Sequence, residues 1–238
     1  MPGADTDSSG DAPPGVAGGI ESIEVGRACG VLHAAHLGNT VWGFVATRDD
    51  FGRGVWVTRD NLGFNETSVG DQVLVSLSGE VLEGRGETDA EYGMALAVMV
   101  ARPDVHALVH AHSLHATSFG ATHRQFHAIS HEGCHLVPPD LARQRIAGES
   151  KSGDKGSEIA TTLGTRNAVL LVGHGLVTAG ASLGETVALA VYLERACQLQ
   201  LLAEEHVHTV DDLDVMEKRF GQLQRPRISW EYLRRVTP

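Results

Sequence analysis

Three histidines fall within the mostly apolar segment "ALVHAHSLHATSF", residues 107–119: His110, His112 and His115. A buried neutral imidazole is tolerated only when both ring nitrogens have partners, so this segment indicates either an unusual hydrogen-bond network or a metal ion. His110 and His112 lie two apart on a predicted strand, where side chains at i and i+2 leave the same face. Both rings are therefore able to reach one ion.

A further candidate ligand, His174, occupies a tight "GHG" turn between two apolar predicted strands. Gly173 and Gly175 on either side leave room for close approach of another chain segment. Together with His110 and His112, this residue would complete three imidazoles with open coordination positions, the pattern of a catalytic zinc site. Zinc is the expected ion, but imidazole also suits iron, manganese, cobalt and nickel, so the ligand type leaves the metal open.

Glu91 is the candidate proton-transfer group beside such a metal. A carbonyl or hydroxyl bound to a metal needs a nearby group that moves protons, and a partly buried carboxylate serves this role. The alternative is structural, because Thr88 and Glu91 have the spacing of a capping box at the start of a predicted helix. The pattern alone leaves both roles open.

The elements that must position these residues follow from the hydrophobic pattern. A helix is predicted from Ile20 to about Gly38, then two hairpins in "TVWGFVATRDDFGRGVWVTRDN" and "DQVLVSLSGEVLEG", and then a helix, a strand, a loop-rich span, a helix and a strand pair. A long helix begins at Ser182, and the tail is expected to be helical first and irregular later. We expect a disordered leader over residues 1–19 and a single domain over 20–238. Its class is α/β, with a mixed or antiparallel central sheet flanked by helices.

Composition excludes several classes of function. The chain has 238 residues, a formal net charge of -11 and no run rich in Lys or Arg, which argues against nucleic acids or anionic membranes as partners because both require a basic face. Its cysteines are few and odd in number (Cys29, Cys134 and Cys197), which favours a reduced, cytoplasmic setting. The expected partner is a small-molecule substrate.

Two stretches, "TDAEYGMALAVMVARPDVHALVHAHSLHATSFGA" and "AVLLVGHGLVTAGASLGETVALAVYLERACQLQ", resemble the class II aldolase/adducin family. The resemblance covers roughly residues 20–205. It implies that His110, His112 and His174 bind a divalent metal and that Glu91 is the catalytic acid/base. It also implies a three-layer α/β/α fold around a mainly antiparallel sheet, and a homotetramer with active sites between subunits.

Departures from the family pattern concern the phosphate site. The family's sugar-phosphate members carry "GNxSxR" after the first helix, whereas this chain has "GFVATR", with Phe44 and Ala46 in place of Asn and Ser. Their Ser-Ser pair before the acid/base Glu is here Asp89 and Ala90. Asp89 would repel a phosphate dianion, which backbone N–H groups, hydroxyls and basic side chains hold best. A non-phosphorylated substrate is therefore expected.

The loop "HEGCHLVPPDLAR" and the helix "LERACQLQL" are similar to a sub-branch of decarboxylases and oxygenases that act on aromatic or keto acids. The leading hypothesis is a metal-dependent lyase of decarboxylase or aldolase type acting on a hydroxy, keto or hydroxy-aromatic acid. The alternatives are a non-haem Fe(II) oxygenase and a non-catalytic module of the adducin kind. Trp230 is expected to help close a neighbouring subunit's pocket, and the residues expected to contact substrate are Phe44, Asp89, His115, His131, His135 and Tyr232.

Overall fold

The computed structural model describes residues 19–38, 40–88, 91–137, 140–145, 153–203 and 225–237. Within these ranges one sheet contains eight strands: β1 (Gly43–Arg48), β2 (Val55–Thr58), β3 (Gln72–Val75), β4 (Val81–Glu83), β5 (Ala107–Ala111), β6 (Ala142–Gln144), β7 (Ala168–Leu171) and β8 (Gly175–Gly180). Their order is β4-β3-β2-β1-β5-β8-β7-β6. All neighbouring pairs are antiparallel except β6 and β7.

Helices cover both faces of this sheet. They are α1 (Gly19–Ala34), α2 (Gly93–Ala101), α3 (Leu114–Gly120), α4 (Gly153–Leu163), α5 (Leu183–Leu202) and α6 (Arg225–Val236). Alternate strand residues face opposite ways: Val109 packs into a core with α1, α3, α5 and α6, whereas Leu108 packs into a second core with α2 and α4. The three-layer α/β/α fold with a mainly antiparallel sheet is therefore confirmed.

The register of the central strands positions the candidate site. Phe44 on β1 and Val177 on β8 both lie opposite His110 on β5. The turn between β7 and β8 closes with a 3.0 Å hydrogen bond from the His174 N–H to the Leu171 carbonyl oxygen. A Cβ at Gly175 would lie 2.2 Å from the Ala111 carbonyl oxygen, so only glycine permits this close approach. The sheet thereby brings the His174 turn against the end of β5.

The predicted capping box at the start of α2 is wrong. Thr88 forms an isolated antiparallel bridge with Arg59, and α2 begins at Gly93 with Tyr92 at its N-cap. Thr88 lies four residues before that N-cap and cannot cap α2, so the Glu91 carboxylate is available for other contacts. The second predicted cap is confirmed in part, because the Ser182 hydroxyl accepts a hydrogen bond from the Glu185 N–H.

Other differences concern the segments after β5 and the tail. Helix α3, which the sequence did not predict, begins at Leu114 soon after β5, and a short strand, β6, lies within the predicted loop-rich span. The expected irregular end is wrong over Arg225–Val236, which is helical with its aromatic Trp230 buried. The leader, apart from Gly19, and the predicted helical start of the tail lie outside the described residues. Within the described part of the chain, no helix is both long and apolar enough to span a membrane.

Candidate metal centre

Four side chains that are distant in sequence converge at the end of β5. Their ligand atoms all lie within 4.8 Å of one another, and the group consists of Glu91, His110, His112 and His174. His110 comes from β5, His112 from the residue after it, His174 from the β7–β8 turn, and Glu91 from just before α2. The convergence expected from the sequence is therefore present in the structure.

The distances within the group suit one small cation. The Glu91 Oε2 atom lies 3.0 Å from His110 Nε2, 3.7 Å from His112 Nε2 and 3.2 Å from His174 Nε2. The Nε2 atoms of His110 and His112 are 3.0 Å apart. Nitrogen ligands of a tetrahedral zinc ion at their usual bond length are about 3.3 Å from one another. The four groups thus lie at separations close to those of a shared ion's ligands.

The hydrogen bond on the far side of His110 selects a tautomer that can bind metal. The Nδ1–H of His110 donates to the Leu176 carbonyl oxygen at 2.9 Å, which leaves the Nε2 lone pair directed at the cluster. Such an outer hydrogen bond orients a metal-ligating imidazole and makes it more basic. Two facing imidazole nitrogens 3.0 Å apart repel when both are lone pairs, and a cation or a proton relieves that repulsion. The donor set therefore fits a divalent metal.

Protonation states in the cluster also favour metal binding. Burial raises the pKa of Glu91, but the close contacts with the three imidazoles outweigh burial and hold that pKa well below its usual range. Burial lowers the pKa of His112, and the neighbouring His110 and His174 lower it further, against the opposing effect of Glu91. An ionised carboxylate beside a neutral imidazole is the state in which both groups ligate a metal.

Phe44 has no exposed surface, and its ring lies 5.7 Å from the His110 ring. It packs into the core between the sheet and helices α2 and α4. The structure therefore gives Phe44 no surface with which to contact a substrate directly. Phe44 instead packs beside the His110 ring. The expected direct contact between Phe44 and the substrate is therefore corrected to an indirect role, in which Phe44 packs against a candidate metal ligand. Asp89 and Ala90 lie outside the described residues.

His115 lies on the first turn of α3 and outside the four-group cluster. Its Nδ1 atom is 2.7 Å from Glu194 Oε1, and its backbone N–H donates to the same oxygen at 3.0 Å. The Ala116 N–H donates to the other carboxylate oxygen at 2.8 Å. The sequence analysis did not single out Glu194, which lies in the helix "LERACQLQL". A carboxylate on the buried face of α5 was the available signal, since such groups are rarely buried without partners.

His131 and His135 border a separate groove of about 430 Å³, together with Tyr192, Arg225 and Ser229. The His135 ring lies 5.3 Å from the Tyr192 ring. Burial lowers the pKa of His135, and the positive charge of Arg225 lowers it further. The buried Nε2 atom of His135 has no hydrogen-bond partner among the described residues. The groove is thus lined by imidazole, hydroxyl and guanidinium groups and also by the Glu132 carboxylate.

The two C-terminal aromatic residues have different environments. Tyr232 on α6 is 56% exposed, whereas Trp230 is buried against α5 of the same chain. A Cβ at Gly184 would lie 2.4 Å from the Trp230 ring, so the indole packs directly on that backbone. Trp230 is therefore a core residue here, which corrects its expected role at a neighbouring subunit. Tyr232 has the surface to contact another molecule.

Similar sequences include enzymes of more than one kind. Decarboxylase NovR from Streptomyces niveus is 30% identical over 128 residues, which are 53% of this chain and 47% of that protein. A 5-deoxy-D-ribulose 1-phosphate aldolase from Bacillus thuringiensis is 28% identical over 172 residues, 70% of this chain and 79% of that one. The match to NovR spans about half of that protein's length.

Solved structures and a family match agree on the fold. An L-fuculose 1-phosphate aldolase from Glaciozyma antarctica has a TM-score of 0.79 at 25% identity, covering 91% of this chain and 87% of that one. Residues 23–201 match the family described as Class II Aldolase and Adducin N-terminal domain. That match includes all four residues of the cluster and most of the chain. The chain belongs to the class II aldolase and adducin N-terminal domain family.

Proposed function

We propose that this protein is a divalent-metal-dependent lyase that breaks a C–C bond in a non-phosphorylated hydroxy or keto acid, or in a hydroxy-aromatic acid. The reaction is of the decarboxylase or aldolase type. The observation that carries the proposal is the cluster in which the Glu91 carboxylate meets the Nε2 atoms of His110, His112 and His174. Three neutral donors with one carboxylate fit zinc, and also Fe(II), manganese or cobalt.

The three imidazoles would hold the ion, with His110 fixed by its hydrogen bond to Leu176. When bound, the metal supplies Lewis-acid stabilisation of the enolate or phenolate charge that develops as the bond breaks. Glu91 is the proposed proton-transfer group: its ionised carboxylate would take up a proton from a substrate hydroxyl and then deliver that proton to the carbanionic carbon left when the C–C bond breaks. The nearly complete burial of His110 excludes water from one side of the site and strengthens these electrostatic contacts.

The substrate class follows from what the chain offers around the cluster. Phe44 replaces a polar residue of sugar-phosphate members and is buried, so it provides no donor to a phosphate. We expect His131 and His135 to contact a carboxylate or hydroxyl of the substrate, since their groove also contains Arg225. His115, with its ring held by Glu194, is a further proposed substrate contact. The similarity to a protein named as a decarboxylase supports this choice over a sugar phosphate.

We further propose a homotetramer with active sites between subunits. The exposed ring of Tyr232 on α6 is available to a neighbouring subunit. In that arrangement Tyr232 would help to close the partner's site from outside, while Trp230 stays in the core of its own chain. Light scattering of the purified protein measures the assembly directly, and a monomer at working concentration would contradict it.

An Fe(II) oxygenase is the second candidate. A 4-hydroxy-3-prenylphenylpyruvate oxygenase/4-hydroxy-3-prenylbenzoate synthase from Streptomyces roseochromogenus is 30% identical over 128 residues, 46% of its length. The same imidazole and carboxylate donors suit Fe(II) with open positions for O2. A non-catalytic module is the third, since mouse gamma-adducin is 26% identical over 189 residues. The non-catalytic alternative predicts that the purified protein binds no metal.

The decisive experiment loads metal-free protein with zinc or with Fe(II) and supplies a panel of hydroxy, keto and hydroxy-aromatic acids, with a phosphorylated ketose as comparison. The lyase proposal predicts release of CO2 or an aldehyde without O2 uptake. Turnover that requires Fe(II) and consumes O2 would replace it with the oxygenase. Preferential cleavage of the phosphorylated ketose would overturn the assignment of substrate class.

A further inference from the structure

We infer that Glu194 is a positioning residue for the metal centre, an inference that rests on the proposed metal-dependent function. Its carboxylate accepts three hydrogen bonds at the start of α3: from the backbone N–H groups of His115 and Ala116, and from the imidazole of His115. We call these contacts the Glu194 clamp. Glu194 is on α5, 79 residues from His115, so the clamp ties two separate helices together.

The clamp replaces a missing local cap. Ser113 occupies the N-cap of α3 but makes no side-chain capping hydrogen bond, and its buried hydroxyl has no partner among the described residues. The first N–H groups of a helix need acceptors, and buried ones are costly to leave unpaired. Glu194 supplies both acceptors from another helix, with a side chain only 10% exposed. The start of α3 is therefore fixed from outside its own segment.

The clamp acts on the metal centre because His112 lies between two anchored points. On one side, Ala111 is held in the sheet opposite Gly43 and Leu176. On the other, the Glu194 clamp holds the first turn of α3, and only Ser113 and Leu114 separate His112 from the clamped residues. With both ends fixed, the backbone at His112 has little freedom, so its ring is directed into the cluster.

A second contact extends the same effect to another ligand. The Thr117 hydroxyl, also on α3, donates to the His174 carbonyl oxygen at 3.4 Å. Helix α3 is thus in contact with the β7–β8 turn as well as with the His112 segment. Glu194 therefore acts on the geometry of two ligands without touching the ion, and its loss should widen the site rather than remove a ligand.

The test compares Glu194→Gln with wild-type protein and with Cys197→Ala, a control on the same buried face of α5. Zinc affinity is measured by competition with a chromophoric chelator, the ligand geometry by the visible absorption of the Co(II)-loaded protein, and folding by thermal unfolding of the metal-free protein. The amide nitrogen of Gln cannot accept a hydrogen bond, so the clamp loses the hydrogen bonds made to one of the two carboxylate oxygens. We expect zinc affinity to fall about 10- to 100-fold, as for other residues that orient metal ligands, with an altered Co(II) spectrum.

Cys197→Ala should lower the unfolding temperature but retain wild-type zinc affinity and Co(II) spectrum. Thr117→Val, which retains the clamp and the side-chain shape, removes only the contact with the His174 carbonyl oxygen and should weaken zinc binding by a few fold. If Glu194→Gln does not fold, Glu194→Asp decides the question, because its shorter carboxylate keeps the charge but moves the acceptors away from α3 and should also weaken zinc binding. Wild-type zinc affinity and spectrum in the folded variants would overturn the role of Glu194. If wild-type protein itself binds no zinc, or His112→Ala binds it as tightly, the proposed function fails instead.

Discussion

Two groups of histidines in this chain illustrate different ways of building a site. The metal centre takes its imidazoles from β5, from the residue after it and from a tight turn, and the ligand atoms, with Glu91, lie within 4.8 Å of one another. The groove around His131 and His135 instead takes its groups from the segment before and within a 3-10 turn and from α6. Rigid strands suit an ion that needs fixed bond lengths, whereas the second region suits a ligand recognised by several weaker contacts.

The substitution with the largest expected effect is at the metal centre, and it tests whether this centre is distinct from the groove around His131 and His135. His110→Ala should lower zinc affinity by at least about 100-fold, more than loss of a supporting residue costs, and abolish turnover. The cause is removal of a buried ligand whose tautomer is already set by Leu176. Isothermal titration with zinc measures the change. His131→Ala is the matched control, and an equal loss of zinc binding in that variant would mean that the two regions share one metal site.

Glu91→Gln separates holding the metal from moving the proton. We expect kcat to fall about 10²- to 10⁴-fold, the usual contribution of a general acid or base, while the three imidazoles still bind zinc. Steady-state kinetics together with metal analysis of the same sample measure both quantities. Glu87→Gln, which changes an exposed glutamate nearby, serves as the control. Wild-type kcat in Glu91→Gln would remove this residue from the mechanism.

His135→Ala tests the groove. Loss of a hydrogen bond to a charged substrate group costs about 1.5–3 kcal/mol, so KM should rise by about 10-fold or more with kcat and zinc affinity little changed. The comparison uses His33→Ala, an exposed histidine on α1. An unchanged KM would indicate that the groove serves another ligand. A fall in zinc affinity would instead connect the groove to the metal centre.

Phe44→Leu should have the smallest effect on activity. The ring is buried against His110, so shortening it should lower the free energy of unfolding by about 1 kcal/mol and change zinc affinity by no more than a few fold. Urea unfolding monitored by circular dichroism measures the stability. A large change in KM with little loss of stability would mean that Phe44 contacts the substrate after all.

Much of the metal centre could be predicted because His110 is on β5 and the other imidazoles lie next to strand ends. The spacing of His110 and His112 places both on one side of the chain, and the glycines around His174 predict the close approach that the structure contains. The hairpins β1–β2 and β3–β4 were predictable for the same reason, since alternating apolar residues on both sides of a polar turn favour pairing of adjacent segments.

The remaining features depend on contacts between residues far apart in sequence. Thr88 has a local capping pattern, but it pairs with Arg59 and α2 begins only at Gly93, so Glu91 lies in the cluster rather than in a capping box. Helix α3 lacks a local cap because Glu194 supplies its acceptors from α5. Trp230 is buried because a glycine on α5 leaves space for its ring. No local pattern contains these partners, so the helix boundaries and the contacts of Glu194 could not be derived from sequence.

Diffraction from a crystal soaked in zinc, recorded at the zinc absorption edge, tests the central claim most directly. The claim is that one cation is shared by residues from three separate parts of the chain. The predicted result is a single anomalous peak about 2.0–2.1 Å from the Nε2 atoms of His110, His112 and His174, with Glu91 alongside. An anomalous map with no peak among these three rings would contradict the account.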